Sequence, residues 1–255
     1  MITPPCDRIK SKDVSFMATC LCDSVYASAA ECAVALLEKF GAKVNFPTKQ
    51  TCCGQPAFNS GDFANARKVV EHTMSVFDGN DAVVLPSSSC SAMLYHSAGI
   101  AFSDSDKKPQ VDAFAKRVWE FCDYLVNVLN IESIDGKYEA KIAVHNSCHS
   151  KGSGTPDAML KLLKSIDGVE IVEFEGTQDC CGFGGTFSVV FPEISGELGI
   201  SKVKKICAAK PDMVVAADTS CLMHQQGIAQ KQGLEYKTVH IAQVLFDALK
   251  NKGAI

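Results

Sequence analysis

Short apolar runs alternate with longer amphipathic stretches along the whole chain. The first run, residues 14–19, predicts a strand that leads directly into Cys20. Ser24 is placed to cap the next segment, where Ala30, Val34, Leu37 and Phe40 recur at helical spacing over residues 27–40 and Gly41 stops the run. A second strand is predicted over 43–46, a helix over 62–77, and a third strand over 82–85 that feeds a turn ending at Cys90. The second half repeats this order. It has a strand at 141–145, a helix opening at Thr155 or Asp157 and closing at Leu163, and a strand at 169–174. A helix at 192–209, a strand at 212–216 and a helix from Ser220 follow. Between the halves, 113–129 reads as one long helix and 130–139 as a linker. Strands alternating with helices imply parallel sheets covered on both faces. The expected fold is therefore α/β, with two homologous Rossmann-like lobes at 1–134 (including the central helix) and 135–255.

The cysteines carry the same duplication. Cys20, the pair Cys52-Cys53 before Gly54, and Cys90 reappear as Cys148, Cys180-Cys181 before Gly182, and Cys221. Cys20 to Cys52 and Cys148 to Cys180 are both 32 positions, while Cys53 to Cys90 is 37 and Cys181 to Cys221 is 40. The paired cysteines are offset by 128 positions in a chain of 255, which implies an internal repeat.

Composition narrows the chemistry. A formal charge of -4, with Lys and Arg scattered along the chain, leaves no basic stripe for nucleic acid. No apolar run approaches the ~18 residues that span a bilayer, so the chain is expected to be soluble and cytoplasmic. In that reducing setting, thirteen cysteines point to metal or redox chemistry more than to disulfides. Each set of four falls just beyond predicted strand ends, where open parallel sheets place ligands. Thiolates drawn together repel unless a cation neutralises them, and thiolates are the usual ligands of iron-sulfur clusters. Gly54 and Gly182 suit the sharp bend that lets adjacent cysteines both face inward.

Alternatives attach to several histidine and cysteine positions. Cys221-x-x-His224 has the spacing of a shared metal site, which makes zinc in the second lobe an alternative to iron-sulfur, with a capping or core histidine as the other reading. His149, next to Cys148, is placed to donate a hydrogen bond to a cluster sulfur, or else to point away. Cys22, Cys32, Cys122 and Cys207 read as small buried residues.

The segments Thr19-Cys20-Leu21, Cys52 to Gly61, Ser147-Cys148-His149, Cys180 to Ser188 and Cys221-Leu222-Met223-His224 resemble the cysteine-rich CCG-domain family. The resemblance extends to the closing His240-Ile241-Ala242. It is closer to the lactate utilization protein A members than to the CCG-domain subunit of heterodisulfide reductase. It implies an iron-sulfur electron carrier that works as a subunit of an L-lactate-oxidising assembly, with a ferredoxin-like iron-sulfur subunit and a third small protein as partners. By that resemblance, Cys20, Cys52, Cys53 and Cys90 hold one four-iron cluster and Cys148, Cys180, Cys181 and Cys221 another. The heterodisulfide enzyme ends its motif in Cys-x-x-Cys, whereas Met93 and His224 stand at those positions here. A zinc-stabilised scaffold and a thiol or disulfide oxidoreductase are the other two function classes.

Overall fold

The computed structural model describes residues 2–79 and 81–255. Its strands are β1 (Asp13–Phe16), β2 (Lys43–Asn45), β3 (Ala82–Leu85), β4 (Val118–Glu120), β5 (Lys137–Val144), β6 (Asp167–Ile171), β7 (Met213–Ala216) and β8 (Thr238–His240). They form two four-stranded sheets, ordered β2-β1-β3-β4 and β6-β5-β7-β8, and every pairing is parallel. The central strands β3 (AVVL) and β7 (MVVA) are buried throughout, as strands covered on both faces must be. In each sheet the chain leaves the first strand toward one edge and returns on its other side. The connections therefore diverge between β1 and β3, and between β5 and β7, opening a crevice at the carboxyl ends of those strands.

Strand alternation distributes the core. Val14, Phe16, Ala82 and Val84 of the first sheet join Ile142, Val144, Met213 and Val215 of the second in one apolar cluster that also takes in Leu36, Leu37 and Leu245. The helices Ala27–Lys39 and Ile241–Asn251 pack on each other within it. The opposite faces carry smaller clusters, one around Met17, Leu85, Met93 and Phe102, the other around Ala143, Ile206 and Val214. The apolar content thus builds a core shared by both sheets instead of one separate core for each.

The predicted helix 62–77 is found at Phe63–Val76, with the Asp62 carboxylate accepting from the Asn65 N–H at 3.1 Å. Three expectations change. Ser24 does not cap the long helix; it is the last residue of a short helix, Cys20–Ser24, and Tyr26 precedes Ala27–Lys39 without a side-chain cap. The N–H groups of Val25 and Tyr26 are taken by Leu21 and Cys22 carbonyls, so this turn closes one helix before the next begins. The long helix over 113–129 is instead a helix, Lys108–Ala115, then β4, then a helix, Phe121–Asn127. Pairing with β3 overrides the helical spacing: Val83 donates to the Arg117 carbonyl at 2.8 Å, and the Arg117 guanidinium is held by the Asp81 and Phe77 carbonyls at 2.8 and 2.7 Å. Finally, β5 begins at Lys137, inside the segment read as linker.

Glu120 ends β4 and caps the next helix, accepting from the Cys122 and Asp123 N–H groups at 2.8 and 3.1 Å. Burial pushes its carboxyl up to about 8, against the opposing pull of those donors. The folded state therefore favours the protonated form. The associated stability is fully present below the ordinary glutamate range and is lost as pH rises toward 8. Glu120→Gln is expected to flatten the fall in unfolding midpoint between pH 5 and pH 8. An unchanged slope in the variant would count against this assignment.

Candidate functional site

Four cysteines stand at strand-to-helix junctions. Cys20 opens the helix after β1, and Cys148 opens a short 3-10 turn, Cys148–Ser150, after β5. Cys90 lies in the first turn of the helix Ser88–Ala92 after β3, where the Ser87 hydroxyl accepts from the Cys90 N–H at 3.3 Å. Cys221 occupies the first turn of the helix Thr219–Lys231 after β7, capped by Asp218. The pairs Cys52-Cys53 and Cys180-Cys181 arrive on the loops that follow the edge strands β2 and β6. Gly54 (φ 93°) and Gly182 (φ 92°) then turn the chain through a left-handed conformation that side-chain-bearing residues rarely adopt.

Within each half the sulfurs form a contact chain. Cys20 meets Cys52, Cys52 meets Cys53, and Cys53 meets Cys90. The second half repeats it as Cys148, Cys180, Cys181 and Cys221. One thiol per set is held far below the ordinary cysteine range. Cys52 is lowered by hydrogen bonds from Cys20 and Cys53, and Cys180 by those from Cys148 and Cys181. The Gly182 N–H adds a bond to the Cys180 sulfur at 3.3 Å. Their neighbours Cys20, Cys53, Cys148 and Cys181 are pushed up, first by those same bonds and then by burial. The sets are therefore poised to give up further protons once a cation replaces the shared hydrogens.

All eight of these cysteines line one cavity of about 280 Å³. The halves are stitched together around it. The Asp218 carboxylate accepts from the Ser89 N–H at 2.8 Å, the Ser88 N–H donates to the Ala217 carbonyl at 3.3 Å, and the Gln55 amide meets His149 Nε2 at 2.9 Å. His149 Nδ1 lies 3.4 Å from the Cys148 sulfur. With the Gln55 amide donating to Nε2, the ring proton sits on Nδ1 and points at that sulfur. On one wall, Val189 begins an exposed apolar run through Val190, Phe191, Ile194 and Leu198.

His224 is not among the cavity-lining residues; its ring packs against Phe183, with centroids 5.7 Å apart, and against the Ser195 carbonyl. The residue that sequence reasoning passed over is His145. It follows β5, it is 1% exposed, and one of its ring nitrogens lies with the Cys181 and Cys221 sulfurs in a group whose donor atoms are all within 4.8 Å of one another. Neither ring nitrogen has a hydrogen-bond partner. Burial holds the imidazole neutral, lowering it to about 3. The available signal was a histidine at the carboxyl end of a predicted strand, three positions before a repeated cysteine. Asp218 was also passed over, because its role in bridging the halves depends on a partner in the other half.

The other cysteines lie apart from this chemistry. All thirteen are free thiols. Cys22 is buried and raised to about 11 by that burial, Cys122 is buried within the helix Phe121–Asn127, Cys32 and Cys207 are only half-buried, and Cys6 is exposed. Among the described residues, no helix is long and apolar enough to cross a membrane.

The donor set fits a metal centre on three counts: thiols that each meet a neighbouring thiol of the same set, glycine bends that turn adjacent cysteines inward, and a buried imidazole without a partner.

Similarity to known proteins agrees with the duplication. A family model described as a cysteine-rich domain, CCG, matches twice, at residues 14–95 and 142–226. Lactate utilization protein A of Geobacillus sp. (strain WCH70) is 39% identical over 233 residues, covering 91% of this chain and 98% of that one. Lactate utilization protein A 1 of Bacillus mycoides (strain KBAB4) is 40% identical over 243 residues, covering 94% and 99%. A crystal structure of a hypothetical protein from Helicobacter pylori shares the fold with a TM-score of 0.58 at 10% identity, over 99% of this chain and 53% of that one. With its two matched repeats and its full-length relatives, the chain belongs to the cysteine-rich CCG-domain family, among the proteins called lactate utilization protein A.

Proposed function

We propose that this chain is an electron-transfer subunit acting in the oxidation of L-lactate to pyruvate, and that its two cysteine sets hold iron-sulfur centres. Cys20, Cys52, Cys53 and Cys90 would hold one, and Cys148, Cys180, Cys181 and Cys221 the other. The observation that carries this reading is the convergence of eight thiols from both halves on one cavity. An iron-sulfur cluster supplies one-electron exchange at a potential set by its ligands, hydrogen bonds and burial.

The protein's own groups suit that role. The His149 N–H toward Cys148 and the Gly182 N–H toward Cys180 would stabilise negative charge on those sulfurs. The residues lining the cavity include no lysine or arginine, so a substrate carboxylate has no cationic partner there. This favours passage of electrons over substrate chemistry at this site. The exposed apolar run from Val189 to Leu198 suits contact with partners, which on this reading are a ferredoxin-like iron-sulfur subunit and a third small protein.

Purification without oxygen, followed by iron, sulfide and zinc analysis and visible absorption spectroscopy, tests the proposal. A brown protein that carries iron and sulfide and bleaches with dithionite is the expected result. A colourless protein carrying only zinc would overturn the redox role in favour of a scaffold.

A further inference from the structure

The two cysteine sets repeat in sequence, but their surroundings differ at one matched position. The Met17 N–H donates to the Val84 carbonyl at 3.0 Å, and the His145 N–H donates to the Val215 carbonyl at 2.9 Å. Each residue stands three positions before the first cysteine of its set, and each accepting valine stands six before the last. Met17 and His145 are therefore the same structural position in the two sheets. Met17 is fully buried in an apolar cluster that also contains Cys53 and Cys90. His145 is equally buried, but it brings two polar nitrogens without partners into the corresponding place.

An unpartnered buried imidazole has given up its hydrogen bonds to water without replacing them, so such a group persists in a stable fold when something else satisfies it. One of its nitrogens, with the sulfurs of Cys181 and Cys221, makes up the three donor atoms lying mutually within 4.8 Å. Donors around one tetrahedral ion stand about 3.3 to 3.8 Å apart, given metal bonds of about 2.0 Å to nitrogen and 2.3 Å to sulfur. A group held within 4.8 Å needs at most side-chain adjustment to close on an ion. Among the described residues, no second group brings three such donors as close together.

We infer that His145 is a metal ligand of the second half, giving that centre a mixed imidazole and thiolate shell with Cys181 and Cys221. The first centre, with Met17 at the matched position, is bound by thiolates alone. The inference rests on the reading that the cysteine sets hold metal. It assigns the two centres different chemistry: an imidazole ligand carries less negative charge than a thiolate, so the second centre is the easier to reduce if it holds iron, and the better suited to zinc if it does not.

The test uses the full chain, stripped of metal and titrated without oxygen with Co2+ as the probe. Thiolate-to-cobalt absorption bands report binding, and pulsed EPR detects nitrogen bound directly to the metal. The wild type is expected to show a strong nitrogen coupling that changes character when histidine is labelled with 15N, a result that needs no substitution. His145→Met, which copies the first half's residue, is expected to lose that coupling and to weaken second-half binding by at least about tenfold. Cys53→Ser, aimed at the first half, is expected to keep it. Cobalt bound through sulfur with no nitrogen coupling in the wild type would overturn the role of His145 and leave the metal reading intact. A coupling that persists in His145→Met would also overturn it. Failure to bind cobalt or iron at all would refute the metal reading itself, and this inference with it.

Discussion

Gly182→Ala is expected to destabilise the fold by about 2–5 kcal/mol, combining a left-handed backbone penalty with forced overpacking. A Cβ at this position would stand 2.4 Å from the Ser195 carbonyl oxygen and 3.1 Å from the Gly199 nitrogen. Both are backbone atoms of the helix Pro192–Ala208, which cannot give way as a flexible side chain would. The contact is also tied from the other direction, because the Ser195 hydroxyl donates to the Gly182 carbonyl at 2.8 Å. Gly54 provides the internal comparison. It shares the positive φ, but a Cβ there would meet the Val69 side chain at an ordinary 3.4 Å, so Gly54→Ala is expected to cost only about 1–2 kcal/mol. Denaturant unfolding of the two variants measures the difference. Equal losses would show that backbone conformation alone accounts for both glycines.

The second large effect concerns metal content. Cys181→Ser is expected to abolish metal at the second set while the first set stays loaded, and Cys53→Ser to do the reverse. Each of these cysteines is the buried middle link of its sulfur chain, touching two other thiols, so its loss breaks the donor set in two. A serine hydroxyl is a poor replacement for a thiolate toward iron or zinc. Metal analysis of the anaerobic proteins should show each variant retaining about half of the wild-type iron. Because both sets face one cavity, loss of all metal from either variant would mean that a single centre is shared across the halves. Full retention in both would remove these cysteines from the ligand set.

Much of the architecture was legible in the one-dimensional pattern. The runs that became β3 and β7 are short, wholly apolar and each preceded by an aspartate, and burial on both faces demands such a composition. The segment 113–129 misled because Val118, Trp119, Phe121, Cys122, Tyr124 and Leu125 satisfy helical spacing and strand burial equally well. Only the free edge of β3, open to pairing, decides between them. The site divides in a similar way. The matched cysteine spacings disclosed both sets, since four positions at repeated intervals leave little room for coincidence. His145 stands three positions before Cys148 as Met17 does before Cys20, but that interval gives no sign of what the side chain meets, and the significance of His145 and Asp218 comes from neighbours more than thirty positions away or in the other half.

The duplication, the alternation of strand and helix, and the membership of each sulfur set are properties of order along the chain, and the chain alone determined them. The shared core, the merging of both sets into one cavity, and the approach of the His145 imidazole to Cys181 and Cys221 came only from the tertiary structure. The reason is that sequence intervals record how far apart residues are along the backbone, whereas burial and donor geometry depend on which faces of two sheets meet. That packing is set by the summed fit of many side chains, and no local motif encodes it.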